Sequence, residues 1–76
     1  MWKQQDNSLV SEFSFANFAE ALVFVNKVGA LAEAAQHHPD IALSWGKVVI
    51  NLSTHSAGAV TDQDRALAKK IDDISD

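Results

Sequence analysis

Three histidines are the side chains best suited to chemistry in this sequence: His37 and His38, adjacent and followed by Pro39, and His55. Histidine is the one residue whose unperturbed pKa, about 6.5, lets it give and take a proton near neutrality. A cluster of histidines suits general acid–base work, which needs positioned groups that titrate close to the working pH. Two other readings stand beside that one. In the first, all three are solvated loop residues. In the second, three imidazoles with an open fourth position hold a catalytic zinc ion. Adjacent residues such as His37 and His38 tend to point in different directions, and no i, i+4 histidine pair lies on a helix, which weighs against the metal. The chain has no cysteine, so thiolate chemistry, disulfides and cysteine-based zinc sites are excluded.

The elements that must position these residues are legible from hydrophobic spacing. Residues 2–5 precede Asp6-Asn7-Ser8, three turn-forming residues. Residues 9–15 then alternate, with Leu9, Phe13 and Phe15 on one side and Val10, Glu12 and Ser14 on the other, as in the second strand of a hairpin. Asn17 followed by Glu20 has the spacing of a helix capping box. Behind it Phe18, Ala21, Leu22, Val25, Val28 and Ala32 recur at helical intervals and predict a core-facing stripe. Residues 30–35 are good helix formers, so the helix is expected to continue through Gly29. Pro39 disfavours helical geometry at His38, which puts the helix end near Gln36 and delivers His37 and His38 at its exit. Ile41, Leu43 and Trp45 alternate next. Gly46-Lys47 is predicted as a two-residue turn with positive φ at the glycine. Val48, Ile50 and Leu52 form the facing strand, which runs into Thr54 and His55. A loop containing Gly58 leads to Thr61-Asp62-Gln63-Asp64, a second capping box. The helix it opens has an apolar stripe of Leu67, Ile71 and Ile74.

The predicted order is β-β-α-β-β-α. Helices apolar on one side need a sheet face to cover, so the expected fold is α+β, a four-stranded antiparallel sheet with both helices on one face. The length of 76 residues and mass of 8.2 kDa fit a single domain over 1–76. So small a core is marginal, and with no disulfide to help, self-association is expected to supply buried area. The net charge of -4 lacks the cation excess that drives phosphate binding, so no direct nucleic-acid contact is expected. No apolar run approaches the ~20 residues of a membrane span, and the first residues do not have a signal-peptide layout. A cytoplasmic protein with no membrane partner is the expectation.

Taken together, Glu33-x-x-x-His37-His38-Pro39, Trp45-x-x-Val48, Ser53-Thr54-His55, Gly58 and Asp64 resemble the pterin-4a-carbinolamine dehydratase family. Phe13-x-Phe15-x-x-Phe18, residues 21–24, Ala32-Glu33 and the opening Trp2 match as well, so the resemblance spans essentially the whole chain. It implies a hydro-lyase, 4a-hydroxytetrahydrobiopterin dehydratase, that converts 4a-hydroxytetrahydropterin to quinonoid dihydropterin and supports tetrahydropterin recycling. An acid protonates the departing hydroxyl and a base accepts the N5 proton, with no metal and no cofactor. By matched position His37 and His55 would be the proton-transfer pair, with His37 the principal acid. His38 would mainly hold the pterin. Gln36, His37 and His38, with Ser53, Thr54 and His55, would line the pocket. The family also implies a homodimer or homotetramer built partly by sheet extension.

Three supporting positions carry two readings each. Glu33 either orients a histidine and favours its charged form or is an ordinary surface glutamate. The family places an aspartate at Asp64 near the active site, yet capping and the helix dipole account for an acid there, and the structural role is favoured. Trp45 either stacks on a pterin or plugs the core, and core packing is favoured. Ala59 stands where the family usually has a second glycine, which would restrict the loop if positive φ were needed. The chain begins almost at the first strand, without the extra N-terminal helix of animal members, and their binding of a homeodomain transcription factor is not carried over. The rival reading is a non-enzymatic binding or assembly module on the same fold. A metal-dependent hydrolase is a more distant one.

Overall fold

The computed structural model describes residues 1–75. Its elements are β1 (Lys3–Gln5), β2 (Ser8–Ser14), α1 (Phe18–Ala35), β3 (Asp40–Ser44), β4 (Lys47–Leu52) and α2 (Asp62–Ser75). The strands form one antiparallel sheet in the order β1-β2-β4-β3. The expected element order and fold class are both observed.

Register decides which face is buried. Leu9 pairs with Leu52, Ser11 with Ile50 and Phe13 with Val48, while Ile41 and Leu43 pair with Ile50 and Val48 from the other side. With side chains alternating at period two, these residues share one face. Val48, Ile50 and Leu52 are fully buried there under Ala21, Phe24, Val28 and Ala32 of α1 and Leu67 and Ile71 of α2. Burying an aliphatic side chain of this kind contributes about 1.5–3 kcal/mol.

Two details of the helix stripe differ from the expectation. Phe18 and Leu22 are exposed, and Phe24 takes a place in the core. At about 100° per residue, Leu22 is rotated well off the line through Ala21, Phe24, Val28 and Ala32. Asn17 does cap α1: its Oδ1 accepts from the Glu20 backbone N–H at 2.9 Å.

The β3–β4 connection also departs from expectation. The two-residue turn is Trp45-Gly46, because Ser44 pairs with Lys47. Gly46 is not in the left-handed region; it is required by close approach instead. A Cβ at Gly46 would sit 2.8 Å from the Phe15 carbonyl oxygen, and the Phe15 N–H donates to the Gly46 carbonyl at 2.8 Å. Being in the turn, Trp45 is 70% exposed rather than a core plug. Trp2 fills an aromatic role near the core: it packs edge-on against Phe13 and its Nε1–H donates to Asp72 at 2.9 Å.

Candidate active site

The histidine pair is positioned by how α1 ends. Gln36 takes the left-handed conformation, φ 52° and ψ 41°, and its backbone N–H donates to the Glu33 carbonyl. The next N–H, that of His37, donates to Ala32 at 3.1 Å. These two bonds satisfy carbonyls that a helix end leaves without partners, and they hold the His37 backbone against the last turn. The Gln36 side chain is also used locally, donating to the Glu33 carbonyl at 2.7 Å.

Opposite stands the chain leaving β4. After Ser53, which is half-buried, Thr54 and Ala59 form an isolated antiparallel bridge around a tight turn. Gly58 supplies the left-handed residue at φ 62°, a conformation that costs glycine little. Ala59 needs no positive φ, so the departure from the usual glycine leaves this turn intact. His55 lies in the turn, exposed, immediately after buried Thr54.

Asp64, in the first turn of α2, joins these segments. It is fully buried. Its Oδ1 lies 2.5 Å from His37 Nε2. Its Oδ2 accepts from the Thr54 hydroxyl at 2.7 Å and from the Thr61 backbone N–H at 2.9 Å. Thr54 and Thr61 Oγ1 are themselves 2.7 Å apart. Burial alone pushes the Asp64 carboxyl up. The His37 hydrogen bond, the Thr61 N–H, the Thr54 hydroxyl and the charge attraction of His37 together outweigh it, holding the group below its ordinary value of 3.8. An ionised carboxylate in this position compensates the positive charge of a doubly protonated imidazole.

The capping role expected of Asp64 is therefore half of what it does. Its carboxylate accepts from the cap residue, while its other oxygen holds His37. The Thr61 hydroxyl completes the opposite half of no capping box, pairing with Thr54 instead. That Thr54–Thr61–Asp64 set was not foreseen from the sequence; its signal is the Thr-x-x-Asp spacing, which reads equally well as a plain cap.

His38 and Glu33 are paired through Nε2 and Oε2 on the surface, with side chains 57% and 72% exposed. The orienting reading of Glu33 thus has a partner, and it is His38 rather than His37. Among the described residues no side-chain hydrogen bond joins His55 to either of the other two histidines. Trp45 belongs elsewhere: β3 leads away from His38 for about 16 Å before reaching it. Two concavities, of about 260 and 270 Å³, are lined by Phe15, Val23, Phe24 and Ile74 and by Lys3, Val10 and Glu12 among others. Neither is lined by a histidine. The acid–base geometry of Asp64 and His37 marks the site.

Comparison with known proteins is consistent along residues 1–74. The family model described as pterin 4 alpha carbinolamine dehydratase matches residues 1–74. A relative from Thermomicrobium roseum, which carries a provisional pterin-4-alpha-carbinolamine dehydratase name, is 46% identical over 97% of this chain and 80% of its own length. One from Picosynechococcus with the same provisional name is 49% identical over 96% and 79%. The crystal structure of a transcriptional coactivator/pterin dehydratase from Brucella melitensis superposes with a TM-score of 0.93 at 30% identity, covering 99% of this chain and 82% of that one. A pterin dehydratase-like RuBisCO assembly factor of the alpha-carboxysome shares the fold at a TM-score of 0.80 and 24% identity. With a family match over nearly every residue, the chain belongs to the pterin 4 alpha carbinolamine dehydratase family.

Proposed function

We propose that this protein dehydrates 4a-hydroxytetrahydropterins to quinonoid dihydropterins by histidine general acid–base catalysis, in support of tetrahydropterin recycling. The observation that carries the reading is the buried Asp64 carboxylate 2.5 Å from His37 Nε2, a carboxylate–imidazole pair in a family of dehydratases. His37, with its charge compensated by Asp64, donates a proton to the 4a-hydroxyl, the C4a–O bond breaks and water leaves. His55 takes the proton from N5 as the N5–C4a double bond forms. His38 mainly holds the pterin, and the Gln36-His37-His38 and Ser53-Thr54-His55 segments line its pocket through side-chain and backbone contacts. The reaction is redox-neutral and balances as loss of one water, so neither metal nor organic cofactor enters.

The reading extends to a cytoplasmic homodimer or homotetramer. Exposed Phe18, Leu22 and Val23 on α1 and the two sheet edges, β1 and β3, support self-association. No helix among the described residues is long and apolar enough to cross a membrane.

The test is stopped-flow dehydration of synthetic 4a-hydroxytetrahydropterin by wild type and His37→Ala. The expected result is acceleration over buffer that falls about 100-fold in the variant, within the usual range for a general acid. Acceleration that His37→Ala retains would move the proton work to His55 or His38. A folded wild type that neither accelerates the reaction nor binds pterin would sink the enzyme and favour an assembly module on the same fold.

A further inference from the structure

The polarity of the hydrogen bonds around Asp64 can be worked out proton by proton. An ionised carboxylate only accepts, and a threonine hydroxyl has one proton to give. Thr54 donates that proton to Asp64 Oδ2 at 2.7 Å. Its 2.7 Å contact with Thr61 Oγ1 must then take the proton from Thr61. Oδ2 already receives two donors, the Thr54 hydroxyl and the Thr61 N–H. Oδ1 is left to His37 Nε2, which has to carry a hydrogen. In a neutral imidazole one nitrogen donates and the other accepts, so Nδ1 holds the lone pair. This arrangement leaves no buried side-chain nitrogen or oxygen without a partner among the described residues.

We propose that Thr61, Thr54 and Asp64 form a one-way hydrogen-bond chain that fixes neutral His37 as its Nε2–H tautomer and presents Nδ1 as the proton-exchanging atom. Thr54 and Thr61 are positioning residues: their hydroxyls act on Asp64 and through it on the His37 ring. The effect on turnover rests on the dehydratase reading, whereas the tautomer does not. The chain also ties the β4–α2 turn to the α1 exit, so the segment bearing His55 and the segment bearing His37 are held by one carboxylate.

The ring nitrogens of His37 in the intact protein can be read by ¹⁵N NMR above the pH where the ring is protonated, with His37→Gln supplying the assignment. Wild type should show Nε2 protonated and Nδ1 bare, in a single tautomer. Thr54→Val keeps the shape of the side chain but withdraws one charge-assisted bond from the carboxylate. Without that donor the carboxylate is free to rotate Oδ1 away from Nε2, so the Nδ1–H tautomer should become populated and kcat fall about tenfold with KM little changed, the rate equivalent of one such bond. Thr54→Ser should restore both. Thr61→Val, which removes only the head of the chain, should shift the tautomer in the same direction and covers the case in which Thr54→Val does not fold.

A wild-type ring protonated on Nδ1, or tautomer populations that neither valine variant alters, would overturn the proposal. A fixed Nε2–H tautomer in a protein that fails to dehydrate the pterin would uphold the chain and remove the dehydratase reading. Dehydration by a protein whose His37 samples both tautomers equally would do the reverse.

Discussion

Asp64 Oδ1 meets His37 Nε2 at 2.5 Å across a sequence separation of 27 residues, tying the first turn of α2 to the residue beyond the α1 cap. The other ends of the helices also meet, since Glu20 and Phe24 of α1 share a cleft with Ile74 and Ser75 of α2. The helices therefore lie antiparallel over the sheet, and the Asp64–His37 hydrogen bond closes the end where the histidines emerge.

Asp64→Asn tests that contact directly. Because Oδ2 faces two donors, the amide must turn its oxygen to them and its NH₂ to His37. The ring then has to accept at Nε2 and carry its proton on Nδ1. Turnover is expected to fall by roughly 10²–10⁴-fold, as when a wrong tautomer is imposed on a catalytic histidine; steady-state and stopped-flow kinetics with pterin carbinolamine would check it.

Acid stability should report the same carboxylate. The Asp64 carboxyl titrates below its ordinary 3.8 in the folded protein, so between the two values the unfolded chain binds more protons. Its contribution is complete above about pH 5 and is lost as the pH falls through the folded value. Urea midpoints measured from pH 6 to 3 should drop for wild type and drop less steeply for Asp64→Asn. Equal slopes would show that Asp64 is not held low.

Gly46→Ala is expected to destabilise by about 1–3 kcal/mol, the usual cost of forcing an extra carbon into packed structure. Its Cβ would press on the Phe15 carbonyl at 2.8 Å, a backbone atom that cannot swing aside. Urea denaturation followed by circular dichroism reads the change, and an unaltered midpoint would contradict it.

Gly29→Ala should act in the opposite direction. Nothing lies within 4 Å of a Cβ at Gly29 inside α1, so the substitution meets no neighbour and improves helix propensity. A gain of about 1 kcal/mol, or roughly 4–8 °C in Tm for a domain of this size, is expected by thermal melting.

For Glu33 and His38 the expectation is modest in stability. Both side chains are largely exposed, and a solvated pair of this kind contributes about 0–1 kcal/mol. His38→Ala should therefore melt close to wild type while raising KM more than it lowers kcat, in keeping with a pterin-holding role.

Much of this was legible in one dimension because it depends on near neighbours. The Asn17 cap, the helix exit at Gln36 and the alternation of Val48, Ile50 and Leu52 are local, and each is present where the spacing put it. At the β3–β4 turn the fold departs from that reading because backbone pairing intervenes. Trp45 alternates with Ile41 and Leu43 as a strand residue would, but pairing of Ser44 with Lys47 turns the chain under it and leaves the indole in solvent. Gly46 reads as a positive-φ turn glycine, and what demands it is the Phe15 backbone 31 positions earlier.

The same division holds at the site. Sequence alone determined which residues could do chemistry, the three histidines with Glu33 and Asp64 in register, and which elements would carry them. Only the tertiary structure decided their pairing: Asp64 with His37, Glu33 with His38, and Thr54 with Asp64. A capping aspartate and an orienting aspartate leave the same mark on a sequence, since both require an acid in the first turn of α2. They differ in what the second carboxylate oxygen faces, and that is set by how α1, β4 and α2 converge on the buried end of the sheet.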